Sequence, residues 1–310
     1  MARLFLTGAA GFVGSHVARL ALAEGREVAA LVRPGDPLRR LRDVRRELCV
    51  LEGDLANIAA FRSALRELRP DCCIHCAWYA EPGSYLHAAE NIDCLTESLA
   101  LLRELIAVGC RQVIMVGSCA EYETEAGFLH EDGATRPLTL YAATKLALGV
   151  VGQQLAKRTE INFAWARLFY LYGPEEDGRR LVPALIKALL HGQPFPATLG
   201  EQVRDYLHVA DVASGLLTLA NRSATGTYNI ASGLPVTVRQ VVETVSELVG
   251  RPDLIQFGAV PYRDWEPPFI CGESRRLRGL GWSPRRTLRE GLEQTIQWWR
   301  HTASGGADAS

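Results

Sequence analysis

Tyr141 and Lys145 stand four residues apart in Tyr-Ala-Ala-Thr-Lys. At that spacing a helix carries both side chains on one face, one turn apart. A free phenol ionises near pH 10, about three units above neutrality. Its use as an acid or base near pH 7 requires roughly 4 kcal/mol of phenolate stabilisation. A nearby ammonium could supply much of that. The 310-residue chain has 34 basic residues, of which only Lys145, Lys157 and Lys187 are lysines, and this scarcity singles out Lys145. A second constellation lies at the N-terminus, in Thr7-Gly8-Ala-Ala-Gly11-Phe12-Val13-Gly14. It closes the first apolar run and opens the first helical period. There Gly8 and Gly11 would let backbone N–H groups approach a pyrophosphate at the positive end of a helix, and Gly14 would let helix and strand pack closely. The spacing is GxxGxxG rather than GxGxxG, and a plain tight turn would use the same residues. The position favours a dinucleotide, with Gly8, Gly11, Phe12, Val13 and Gly14 as its expected contacts.

The second strand ends at Val32-Arg33, where a bound dinucleotide presents its adenosine ribose. A carboxylate there would accept from a 2′-hydroxyl and select NAD, whereas the Arg33 guanidinium suits a 2′-phosphate. NADP(H) is therefore favoured and NAD(H) kept as possible, with Asp36 as the counter-argument. Arg39 and Arg40 could add charge, although Arg39, Arg40, Arg42, Arg45 and Arg46 also read as a solvated helix face. Asp54 and Leu55, after the third strand, are placed to meet the adenine, with helix capping by Asp54 an equal alternative.

These groups need a scaffold. The first 170 residues alternate short β-type runs (3–7, 27–32, 49–52, 71–77, 111–117, 162–168) with helical periods (12–24, a basic stretch ending near 47, 58–68, 86–108, 140–157). Six apolar strands alternating with five helical periods predict an α/β fold, a Rossmann-like doubly wound parallel sheet. A smaller C-terminal substrate lobe is expected from 171–202 and 231–301. The chain returns to the first domain, 1–170, around 203–230 with strands at 206–209 and 227–230. A last helix is expected over 288–300 and a disordered tail over 302–310.

Composition narrows the class. Thirty-four basic against 35 acidic residues give a net charge of −1, which removes the electrostatic case for nucleic acid or an anionic membrane. No apolar stretch approaches a membrane span. Residues 1–23 imitate a secretory signal but are broken by Gly8, Gly11, Gly14, His16 and Arg19, so none is expected. Cys72, Cys73 and Cys76 lie in an apolar strand whose alternating faces would scatter the thiols, so they read as small buried hydrophobes, with no metal site. A reduced, cytoplasmic enzyme follows.

Taken in order, TGAAGFVG, Asp54-Leu55, HCAW, Asn91, GSCAEY and YAATK resemble the extended branch of the short-chain dehydrogenase/reductase superfamily, the NAD(P)-dependent epimerase/dehydratase family. RLFYLYGP (167–174), VRDYLHVADVA (203–213) and GTYNIASG (226–233) extend the resemblance over nearly the whole chain. The resemblance implies that Tyr141 is the acid/base, that Lys145 partners it and holds the nicotinamide ribose, and that Ser118 hydrogen-bonds a sugar carbonyl oxygen. It implies that Asn91 supports the lysine through water and that Ala77 lies against the cofactor. Arg204 and Arg263 would clamp the diphosphate of a nucleotide-sugar, a task suited to guanidinium forks. Trp78 and Tyr79 would line the sugar pocket, where they could stack on the sugar or fill core. Tyr170 stands where the group usually has Asn. A homodimer through the helices at 86–108 and 140–157 is also implied.

Departures from the family pattern narrow the activity. The group's 4,6-dehydratases carry Asp-Glu after the Ser/Thr, and this chain has Cys119 and Ala120, so that elimination lacks its acid and base. The 3,5-epimerase/reductases carry Cys where Ala120 stands, so that epimerisation is disfavoured too. The expectation is an NAD(P)H-dependent reductase of a nucleotide-linked 4-keto-6-deoxy sugar. An NDP-sugar 4-epimerase is the alternative. A non-catalytic dinucleotide sensor is less favoured because the Tyr-x-x-x-Lys pair is intact.

Overall fold

The structure, a computed structural model, describes residues 3–263 and 266–305. Seven strands form one all-parallel sheet: β1 (Arg3–Thr7), β2 (Glu27–Val32), β3 (Cys49–Glu52), β4 (Cys72–His75), β5 (Gln112–Ser118), β6 (Asn162–Leu168) and β7 (Gly226–Ile230), in the order β7-β6-β5-β4-β1-β2-β3. The seventh strand comes from the returning part of the chain and pairs with β6 from Gly226↔Ala164 to Ile230↔Leu168.

Period-two alternation sends neighbouring strand residues to opposite faces. Leu4, Leu6, Cys72 and Ile74 enter one core layer, beneath α1 (Phe12–Ala23), and Phe5 and Cys73 enter the other. α2 (Ile58–Leu68), α3 (Glu90–Ala107) and α4 (Leu140–Ala156) cover that second face. Gly152 lets α4 come close to β6, since a Cβ there would stand 2.3 Å from Phe163.

A separate apolar core joins α5 (Leu181–Leu190), α7 (Val238–Val249) and α9 (Leu288–Gly305), while α6 (Val209–Asn221) lies with α1 on the first face of the sheet. The short α8 (Arg275–Gly279) sends Leu277 into the core on that same face, beside β7. No helix among the described residues is long and apolar enough to cross a membrane.

Three expectations change. The basic stretch before 47 forms only a short 3-10 turn, Arg39–Leu41. Pro34, Gly35 and Pro37 precede it, and Leu38 takes a left-handed φ of 51° that ends any helix. α3 begins at Glu90 rather than 86, because turns occupy the segment after Pro82-Gly83. α9 continues to Gly305, so Thr302–Gly305 of the expected tail are helical; residues 306–310 lie outside the described residues.

Candidate active site

The connections leave β1 toward β2 and β4 toward β5, in opposite directions across the sheet. This opens a crevice at their carboxyl ends, the usual ligand position in such sheets. Gly8 lies there with φ 66°, and a Cβ on it would come within 2.6 Å of the Ala77 backbone nitrogen. A Cβ on Gly14 would meet the Gly8 carbonyl oxygen at 2.1 Å. Ala77 N–H also donates to Thr7 Oγ1 at 3.4 Å, tying the ends of β1 and β4 together. Gly11 is the extended N-cap of α1, and Phe12 and Val13 are its first helical residues. That turn has no side-chain cap and no acidic residue among the described residues. The first N–H groups of α1 and its positive end therefore suit a pyrophosphate.

At the adenosine end, Arg33 is exposed just past β2. Asp36 turns back onto its own loop, where Oδ1 accepts from Leu38 N at 2.8 Å. Asp54 caps a 3-10 turn through Ala56 N at 3.0 Å, the capping role left open by the sequence, and half-buried Leu55 follows it. Burial and the neighbouring Asp54 and Asp93 hold the Glu97 carboxyl above its usual range, against the pull of Arg33. Arg40 reaches inward, donating to the carbonyls of Glu175 and Ala10 at 2.9 and 3.3 Å.

Thr139 caps α4, accepting from Ala142 N at 3.1 Å, and so brings Tyr141 and Lys145 onto the helix's first turns. Tyr141 lies beside Ser118, which ends β5. Burial raises the phenol above its ordinary value, the neighbouring Tyr85 adds to this, and the nearby Ser118 hydroxyl opposes it. Lys145 is buried and donates to the Val116 carbonyl at 2.7 Å. Burial pushes its ammonium down to about 7, while Glu121 pulls it up. The group can hold a carbonyl oxygen between Ser118 and Tyr141 and exchange one proton with it.

Behind Ser118 lies Glu121, fully buried, which spacing alone did not single out. Its Oε1 accepts from Ser118 N at 2.7 Å, and its Oε2 accepts from Trp165 Nε1 at 3.0 Å and Arg167 Nε at 2.8 Å. The sequence did carry a signal: Ser118-x-x-Glu121 is a capping-box pattern, and the structure forms that box. Tyr85 is a second addition, packing edge-on against Tyr141 with ring centroids 5.0 Å apart.

The remaining expected residues divide. Asn91 is fully buried and bonded to Trp78 Nε1, at 2.8 Å, and to the loop carbonyls of Tyr85 and Ala88. Trp78 turns its ring to the Lys145 ammonium, 3.8 Å from the centroid. Tyr79 bonds Ser84 through its hydroxyl at 3.1 Å. Tyr170 lies near Cys119, with its ring 5.2 Å from the Arg204 guanidinium. Arg204 is 1% exposed and ion-paired with Glu266 at 2.7 Å, so its charge is already met within the protein. Arg263 is exposed on the loop before the Phe269–Gly272 strand. The Cys119 thiol is buried and pushed up to about 12, chiefly by desolvation, which leaves it a poor base.

Comparison with known proteins adds three findings. The model of a family described as "NAD dependent epimerase/dehydratase family" matches residues 4–231. Two curated relatives are each 27% identical: a UDP-glucose 4-epimerase of Corynebacterium glutamicum, over 98% of this chain and 97% of its own, and a dTDP-4-dehydro-6-deoxy-D-allose reductase of Streptomyces bikiniensis, over 96% of each. Among solved structures, the UDP-glucose 4-epimerase of Thermus thermophilus in complex with NAD superposes with a TM-score of 0.83 at 27% identity, covering 96% of this chain and 99% of that one.

Proposed function

The chain belongs to the NAD-dependent epimerase/dehydratase family, and from that premise we propose that it is an NADPH-dependent reductase of the 4-keto group of a nucleotide-linked 4-keto-6-deoxy sugar. The observation that carries this reading is the end of β2. An exposed Arg33 stands where a ribose-selecting carboxylate is used, and the carboxylate of its own loop, Asp36, turns back to accept from Leu38 N. An exchangeable, 2′-phosphorylated cofactor suits net reduction, whereas an epimerase returns its hydride to the same sugar.

The cofactor, when bound, supplies the hydride. The glycine turn and the open N-terminus of α1 would hold its pyrophosphate, and Lys145 its nicotinamide ribose. Ser118 and Tyr141 would bind the sugar carbonyl oxygen, and the Tyr141 hydroxyl would give it a proton as hydride arrives at C4. Buried, protonated Cys119 and the methyl of Ala120 offer no second acid/base pair for dehydration. Tyr170, Tyr79 and Arg263 belong to the sugar-nucleotide side of this reading, and Arg204 joins them only where the Glu266 ion pair opens. A homodimer is part of the proposal, because Ile92 of α3 and Val150 and Val151 of α4 are exposed on the helices expected to meet.

The second reading, a 4-epimerase, is favoured by the Corynebacterium relative, whose identity to this chain equals that of the reductase. The nucleotide released on denaturing the purified protein, and its exchange with added cofactor beforehand, separates the two. Freely exchanging NADPH supports the reductase, and tightly retained NAD supports the epimerase.

A further inference from the structure

Two contacts tie Trp78 to Lys145 and to Asn91. The Lys145 Nζ lies 3.8 Å from the centroid of the indole, and the indole N–H donates to Asn91 Oδ1 at 2.8 Å. Asn91 is itself held. Its Nδ2 donates to the carbonyls of Tyr85 at 2.6 Å and Ala88 at 2.9 Å, and the residue is fully buried. The carboxamide is thus pinned on both ends and fixes the plane of the ring it accepts from. An ammonium is attracted to the negative face of an indole, more strongly where water is excluded, as it is around Lys145.

We propose that Trp78 is a positioning residue: its indole, locked by Asn91, is the seat that holds the Lys145 ammonium against Ser118 and Tyr141. This rests on the reading of Tyr141 and Lys145 as the acid/base pair. Asn91 then acts on the lysine through an aromatic ring, where the family resemblance implied a water.

The other groups facing Lys145 come from each element around it. The Val116 carbonyl lies on β5, and the Glu121 carboxylate on the turn after it. Cys76 lies after β4 and Cys94 on α3. The Tyr141 ring is 5.9 Å away, and His75 on β4 is held neutral by burial. Glu121 and the ring face both favour the charged lysine, against the burial that pulls it down.

The test reads Lys145 directly. With three lysines in the chain, 13Cε-lysine NMR resolves it, assigned with Lys145→Met. The titration midpoint is followed in the full-length protein, free and with NADPH bound. Trp78→Leu keeps an apolar side chain and removes the ring face, and should lower the midpoint by about half to one pH unit. Trp78→Phe restores a face and should recover at least half of that shift. Asn91→Leu frees the indole and should lower the midpoint by a smaller amount, which keeps the test decisive if Trp78→Leu does not fold. An unchanged midpoint in Trp78→Leu, or in Asn91→Leu where Trp78→Leu does not fold, would overturn the proposal. So would tighter NADPH binding by Trp78→Leu with the midpoint unmoved, which would make the ring a plug in the crevice. Neither outcome depends on which sugar is turned over, so failure here is distinct from failure of the reductase reading.

Discussion

Glu121 and Arg167 form an ion pair sealed in the sheet directly behind Ser118. The carboxylate is fully buried, the guanidinium side chain is 6% exposed, and Oε2 meets Nε at 2.8 Å. The same carboxylate holds the Ser118 backbone N–H at 2.7 Å, so the position of the serine that faces Tyr141 depends on it. Arg167 lies 4.2 Å from the Tyr122 ring centroid, and Tyr122 in turn donates to Asn229 Oδ1 at 2.7 Å. A chain of buried polar contacts therefore runs from β7 to the serine at the site.

Removing one partner of such a pair leaves the other buried and uncompensated. Glu121→Ala should cost about 3–5 kcal/mol of stability, read from the midpoint of urea unfolding at constant slope. A loss below about 1 kcal/mol would mean that the pair is not closed off from water.

His75 lies between the hydroxyls of Thr7, at 2.6 Å, and Ser98, at 2.8 Å, and burial pushes it down to about 3. The unfolded ring titrates near 6.5. Between those values the unfolded chain binds the proton and the folded one does not. The ring's contribution to stability is therefore complete above pH 6.5 and is lost progressively as pH falls toward 3. Imidazole 15N shifts of His75 should show a neutral ring throughout pH 5–8; a midpoint near 6.5 would contradict its burial.

The sheet was legible because buried parallel strands are short apolar runs of distinctive composition, and the α1 turn because glycine is needed where backbones touch. Less legible was anything set by long-range pairing. Gly226–Ile230 reads as an isolated strand until β6 is beside it. Arg204 reads as a free fork until Glu266, 62 residues later, is seen to occupy it. The contacts of Trp78 with Asn91 and Lys145 could not be read from the sequence, because those partners come from two different helices. The basic stretch failed as a helix for a local reason, the left-handed Leu38 after two prolines.

Arg33 should read the cofactor's 2′-phosphate. Arg33→Ala should weaken NADPH binding more than NADH binding by about 1–3 kcal/mol, the worth of a charged hydrogen bond. Titration calorimetry with both cofactors checks this, and an equal loss for both would remove Arg33 from phosphate recognition.

Tyr141→Phe keeps the ring against Tyr85 and Trp78 and deletes only the hydroxyl proposed as proton donor. Turnover should fall at least about a hundredfold with cofactor affinity little changed. Turnover near the original would place the acid elsewhere, and a wild-type chain with no turnover to lose would revive the sensor reading.

The most direct measurement follows the absorbance of reduced nicotinamide while a known amount of a nucleotide-linked 4-keto-6-deoxyhexose is added. One NADPH should be consumed per sugar supplied, with the 4-hydroxy sugar as product, and UDP-glucose should not be converted to UDP-galactose. Interconversion of those two UDP-sugars without added reductant, and no NADPH loss with the keto sugar, would contradict the reductase assignment and establish the epimerase.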